Sequence, residues 1–212
     1  MGMAGNDNRP LAAQVYDRIC ADIVDGTMPP GAPLAQEQIA AKYGVSRTPV
    51  RDALVQVAAD GLATAVPGQG YVVNELTDHE VHNVYEVRYA LEALAATQAC
   101  GLHTPRQLVR LKSLIDEYEA VGHSDVEELF RLGTAFHSKL VEPCPNDYLL
   151  KMLAGVWAHP VNRRISRTLD YTPEQQATVA SDHRRIMDAL GRNETGALLE
   201  ILAGCFHISS GA

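Results

Sequence analysis

The sequence predicts a mainly α-helical protein in two parts: a small head of three helices and a β-hairpin, then a larger, wholly helical remainder. Three observations carry that reading. Apolar positions recur at helical spacing through most of the chain. Just after Gly61 the period changes to two short β-prone runs, then returns to helix. Clusters of Pro and Gly punctuate the pattern where no helix can cross. The chain has 212 residues, 46% hydrophobic and 21% charged, a composition typical of soluble globular proteins and enough for two small domains.

Residues 1–10, with Gly, Asn and Asp, read as a disordered tail. Leu11, Val15, Ile19 and Ile23 fall four apart and give one face of a helix over residues 11–25, ended by Gly26. Thr27, Met28, Pro29, Pro30 and Gly31 form a turn cluster. A short helix over residues 36–43 turns Ile39, Ala40 and Tyr43 inward. Gly44 supplies the left-handed conformation that ends it. Ser46 is a good N-cap for the next helix, and Pro49 is tolerated in its first turn. Val50, Leu54 and Val57 form its buried seam. Arg47 and Arg51, four apart, project from one face near its N-terminus. Residues 62–66 and 71–73 are the β-prone runs, around Pro67, Gly68, Gln69 and Gly70. Together these pieces predict a winged helix-turn-helix over residues 11–73.

Two forked cations beside a helix N-terminus suit guanine edges and phosphates, so the predicted partner is double-stranded DNA. The net charge of −8 restricts the favourable field. Through Glu75 the chain carries five Lys/Arg and eight Asp/Glu, yet Lys42, Arg47 and Arg51 stand together with no anion between them. The four cysteines, Cys20, Cys100, Cys144 and Cys205, lack paired spacing and suggest neither a disulfide framework nor a zinc ribbon. No apolar run is long enough to cross a bilayer, and no signal-peptide core is present. A cytoplasmic location is therefore expected.

The head resembles the DNA-binding domain of the GntR family of bacterial transcription regulators. The residues that carry the resemblance are the Pro30–Gly31 turn, Leu34, Ile39–Ala40, the run from Gly44 through Leu54, Gly61–Leu62, and Gly70 at the expected hairpin tip. The resemblance implies DNA contacts from Ser46, Arg47, Thr48 and Arg51, with Gly70 approaching the minor groove. Three positions depart from the family pattern. Gln36 stands where an acid is usual, and Glu37 and Gln69 stand where a cation is common, which removes two phosphate contacts.

After a linker at residues 74–76, residues 77–208 read as an all-α domain. Thr77 with Glu80, and Ser124 with Glu127, have capping-box spacing. Thr104–Pro105 and Thr172–Pro173 open further helices, Pro143 and Pro145 break the chain, a kink is expected at Pro160, and Asn193 starts the last helix. Arg88 with Glu92, Phe136–His137, Asn146, and His183 with Ile186 and Ala189 resemble the effector-binding FCD domain of the FadR branch of that family. The resemblance implies homodimerisation on a palindromic operator and a small-molecule effector, most simply a carboxylate, received by Arg88, His137, His183 and Cys205.

In that branch an Asp and three His commonly hold a divalent metal. Here Gly133 stands at the Asp position, His137 and His183 match two histidines, and Cys205 takes the place of the last. Helical spacing turns Cys205 inward with Leu198, Ile201 and Leu202, and His207 outward with Glu200 and Ala203. His137, His183 and Cys205 could hold zinc or a similar divalent ion with an open fourth position; equally, the two histidines could be hydrogen-bonded core residues. Arg88 could anchor a carboxylate in a bidentate bond or pair with Glu92. The cations Arg163, Arg164 and Arg167 read as a solvated face. The function that follows is a DNA-binding repressor, not an enzyme. The alternatives are a metal-dependent hydrolase using His137, His183 and Cys205, and a degenerate regulator with weak DNA binding.

Overall fold

The structure, a computed structural model, describes residues 7–168 and 172–206. It comprises two compact units: one takes the chain through Thr77 together with His159–Ile165, the other takes Asp78–Ala158 and the chain from Ser166 onward. Part of the predicted tail, residues 1–6, lies outside the described residues.

In the first unit three helices enclose one apolar core: Leu11–Val24 (α1), Gln36–Tyr43 (α2) and Arg47–Ala59 (α3). Val15, Ile19, Ile39, Val50, Leu54 and Val57 are all nearly solvent-free within it. Gly44 adopts φ +69°, and Val45 N donates to Ala40 O at 3.0 Å, the Schellman closure that lets α2 stop and α3 start within three residues. Ala63–Val66 (β2) and Gly70–Val73 (β3) form the predicted hairpin, in register Ala63↔Val73 through Val66↔Gly70. Its turn is built on Pro67 and Gly68 (φ +76°), with Gln69 N donating to Val66 O at 3.0 Å, the pattern of a type II turn. Gly70, expected at the tip, is instead the first residue of β3, also in the left-handed region at φ +85°.

A third strand, Pro33–Leu34 (β1), pairs antiparallel with β3, so the sheet order is β1-β3-β2. Two residues carry no periodicity, which is why sequence pattern does not reveal them. Gly31 N donates to Val73 O at 2.9 Å, and Val73 N donates to Ala32 O at 3.0 Å. The Pro30–Gly31 turn thus delivers a strand.

The second unit holds Asp78–Ala99 (α4), Pro105–Ala120 (α5), Val126–Val141 (α6), Asp147–Ala158 (α7), Pro173–Arg192 (α9) and Thr195–Cys205 (α10). Helix α4 packs against α6, α7 and α10, and α5 against α6 and α9. Leu111, Ile115, Leu132, Phe136, Leu140, Leu153, Ile186 and Leu198 form the centre. Thr104 and Thr172 close capping boxes with Gln107 and Gln175, as such threonines do at helix starts. Three local expectations shift. Asp125, not Ser124, caps α6, accepting from Glu128 N at 3.2 Å. Asn193 ends α9 in the left-handed conformation (φ 56°), with Glu194 N on Ala189 O at 2.9 Å, and the last helix starts after it. The helix is interrupted at His159, and Pro160–Thr168 (α8) begins after it, because proline suits a first turn better than an interior. Of the three arginines read as a solvated face, Arg164 is buried and Arg167 pairs with Glu127 at 2.8 Å.

Candidate functional sites: the recognition helix and a buried charge cluster

The first site is the N-terminal end of α3. Ser46, Arg47, Thr48 and Arg51 are all exposed, while Val50 and Leu54 on the other side are fully buried. The amphipathic seam therefore fixes the helix and presents the polar residues outward. Ser46 has the extended backbone of an N-cap, but its side chain makes no capping bond. Gly70 is exposed on the hairpin, and a Cβ there would meet nothing within 4 Å. Its glycine identity answers to backbone conformation, not to crowding.

The cations of this face do not stand alone. Arg47 pairs with Glu37, Arg51 Nη2 lies 3.1 Å from Asp52 Oδ1, and Lys42 Nζ lies 2.6 Å from Asp22 Oδ2. Sequence spacing isolates the three cations; the fold returns an acid to each. Asp22 reaches Lys42 from α1, which no local pattern reveals.

The second site lies inside the helical unit. Glu92, fully buried on α4, takes Arg88 Nε at 2.7 Å and Trp157 Nε1 at 2.7 Å, both on Oε1. Its Oε2 lies 2.8 Å from His137 Nδ1 on α6. Burial pushes the Glu92 carboxyl up, but Arg88 and His137 together outweigh it and hold the group down at about 2, so the anion is the resident species. His183 on α9 stacks on Phe136, ring centroids 4.0 Å apart, and stands 5.3 Å from His137. Burial first, and then the neighbouring His137, hold His183 well below the ordinary histidine value, so it is neutral at pH 7. The Phe206 ring lies 4.9 Å from the Arg88 guanidinium and 5.7 Å from His137.

Arg88, His137 and His183 are therefore brought together, and Glu92 joins them. Arg88 does pair with Glu92, as one of the two sequence readings had it. Among the described residues only its Nε is committed, leaving both terminal nitrogens available. Glu92 Oε2 and His137 Nδ1 face each other at 2.8 Å, whereas the buried His183 Nδ1 has no hydrogen-bond partner among the described residues. Buried polar atoms are nearly always satisfied, so this nitrogen, in the same cluster as Arg88, marks a candidate ligand position. Trp157 and Phe206 were not identifiable as members; Trp157 is 65 residues from Glu92.

The described donors do not gather into a metal-ligand set. Among the described residues no group of three or more His, Cys, Asp or Glu converges as a ligand set. Gly133 offers no side chain where the resemblance puts an Asp. Cys205 is half-buried, and burial pushes its thiol up to about 12. His207 lies outside the described residues. The triad required by the hydrolase alternative is thus not assembled among the described residues.

Comparison with known proteins agrees with this architecture. The profile described as "Bacterial regulatory proteins, gntR family" matches residues 11–73, and that of the FCD domain matches residues 83–206. The chain is 32% identical over 204 residues to the HTH-type transcriptional regulator YdhC of Bacillus subtilis, covering 93% of this chain and 89% of that one. It is 30% identical over 138 residues to the HTH-type transcriptional repressor RspR of Escherichia coli, covering 65% of this chain and 60% of that one. Among solved structures, E. coli McbR/YncC aligns with a TM-score of 0.68 at 22% identity, over 94% of both chains. A Rhodococcus regulator aligns at 0.69 and 24%, over 92% of this chain and 93% of that one. At such identities the two structures speak for the fold. With exposed arginines at the start of a helix, a three-stranded wing, a helical unit with a buried charge cluster and both family profiles matched, the conclusion is that this chain belongs to the GntR family of bacterial transcriptional regulators, with a GntR-type DNA-binding domain followed by an FCD domain.

Proposed function

We propose that this chain is a repressor that binds a palindromic operator as a homodimer and is controlled by a small carboxylate bound at the Arg88 cluster. Ser46, Arg47, Thr48 and Arg51 contact DNA in the major groove, and the hairpin carrying Gly70 reaches toward the minor groove. The observation that carries the effector reading is the buried, unpartnered His183 Nδ1 in one cluster with an arginine whose two terminal nitrogens are uncommitted. A carboxylate would take a bidentate bond from Arg88 and a further bond from His183, within aromatic walls from Phe136 and Phe206. No metal takes part in this reading. A DNA-regulating role places the protein in the cytoplasm; among the described residues no helix is long and apolar enough to cross a membrane.

Support for the homodimer comes from the surface of the helical unit. Val87 and Leu94 on α4 are 54% and 49% exposed, and Tyr148 and Met152 on the adjoining α7 are 74% and 47% exposed. These residues repeat at seven and four along their helices, the spacing of a seam between helices.

The test uses full-length protein and a DNA duplex that it selects from a random pool. Arg51→Ala is expected to weaken binding to that duplex by about 1–3 kcal/mol if Arg51 reads a base; an unchanged mobility shift at low salt refutes the assignment. A panel of small carboxylates, followed by Trp157 fluorescence, tests the effector site. Arg88→Lys keeps the charge but loses the planar fork and should abolish the response; a response unchanged by this substitution refutes the anchor.

A further inference from the structure

The acids on the recognition face have a role beyond the DNA contacts assigned above. Glu37 sits in the first turn of α2, and its Oε1 pairs with Nη2 of Arg47. The pair is exposed, at 67% and 69% of side-chain surface for Arg47 and Glu37. Asp52 holds Arg51 through both Nε (3.2 Å) and Nη2 (3.1 Å), and Asp22 holds Lys42. Every cation from Lys42 through Arg51 thus has a carboxylate within reach.

Pairing alters what a guanidinium can bind. A free guanidinium attracts phosphate by charge and donates to base edges by geometry. Once one edge is held by a carboxylate, the pair is close to neutral and its attraction for phosphate largely cancels. The remaining N–H groups still fit the neutral acceptors of a guanine edge, because the guanidinium carries five donors in a fixed fork. The nearby carboxylate also repels phosphate oxygens.

We infer that Glu37 is a specificity-determining residue of the DNA-binding surface: by pairing with Arg47 it suppresses attraction to the phosphate backbone while leaving base-edge recognition available. The inference rests on the reading of Arg47 as a DNA contact. It fits a head that is acidic overall.

The experiment measures affinity of the full-length protein, across a salt series, for two duplexes. One is selected by the wild type from a random pool, and the other is a mixed sequence lacking the selected motif. Glu37→Gln should raise affinity for the mixed duplex by about two- to five-fold per subunit, the range an exposed ion pair can impose. The slope of log K against log salt should steepen by about 0.9 for each phosphate contact released. Affinity for the selected duplex should change less, so the ratio between the two falls. Glu37→Asp keeps the charge on a shorter arm; if the pair is responsible, this variant also lowers the ratio. A mixed-duplex affinity and slope unchanged in Glu37→Gln overturn the inference, as does a wild-type ratio in Glu37→Asp, which would assign the effect to bulk charge. Arg47→Ala separates the two layers. Loss of selected-duplex binding in Arg47→Ala with no effect of Glu37→Gln defeats the inference alone, whereas no loss in Arg47→Ala defeats the underlying DNA reading as well.

Discussion

Replacing Glu92 by Gln tests whether charge, and not shape, holds the interior of the helical unit. The side chain keeps its size, and the amide oxygen can still accept from Arg88 Nε and Trp157 Nε1, the two donors now on Oε1. What disappears is the anion between Arg88 and His137. A carboxyl held at about 2, against an ordinary 4.5, is one whose surroundings favour the charged form by about 3 kcal/mol. Because Glu92 is fully buried, solvent screening takes little of this away. Arg88, with 10% of its side chain exposed, would be left as a buried unpaired cation, a loss of similar size. Trp157, the one tryptophan of the chain, donates directly to Glu92, so its fluorescence reports on this unit. In urea, a loss of about 3 kcal/mol should lower the Trp157-detected midpoint by roughly 1–2 M. A midpoint equal to wild type refutes the argument. The double variant Arg88→Met with Glu92→Leu removes both charges and should be more stable than the single changes predict by addition, since apolar replacement of a buried pair is often neutral.

Further outcomes follow from the same geometry. His183 sits below its unfolded value of 6.5, so the unfolded chain takes up that proton first; stability is full above about pH 6.5 and falls below it, by at most about 1.4 kcal/mol per pH unit for one group. His183→Phe should flatten that part of the pH dependence relative to wild type, read as urea midpoints on either side of pH 6.5. Gly44 has open space for a Cβ but a φ of +69°, so Gly44→Ala should cost about 1–2 kcal/mol of backbone strain, and calorimetry should place the transition of the DNA-binding unit roughly 4–8 °C lower for each kcal/mol. Dialysis against a chelator should leave melting of the helical unit unchanged, whereas a metal present at a hundred times its dissociation constant would contribute about 2.7 kcal/mol.

How much of this was legible in the sequence depended on whether the signal was local. The boundaries of α2 and α3 follow from Gly44, Ser46 and the Val50–Leu54–Val57 seam, all close together in the sequence. Arg88 and Glu92 are four apart on one helix, so their pairing was one of two readable outcomes. Trp157 and Phe206 join the cluster through tertiary packing, which leaves no mark on spacing. The same holds for Asp22 beside Lys42, twenty residues away, and for β1, whose two residues are strand only because β3 lies alongside. Asn193 misled because an asparagine serves a helix start and a left-handed helix end equally well; only the backbone decides. The metal set was read from a family pattern, and the loss of its carboxylate at Gly133 was visible from the start. That Glu92 takes up the space beside His137 was not.

Helix α4 joins two surfaces that the chain numbers as neighbours. Arg88 and Glu92 face the interior, while Val87 and Leu94 face outward from the same 22-residue rod. A hydrogen-bonded helix moves as a piece, so any shift of α4 that carries the Arg88–Glu92 pair relative to His137 on α6 is felt one residue away at Val87. The interior cluster and the outer flank of the unit therefore travel on one rigid element.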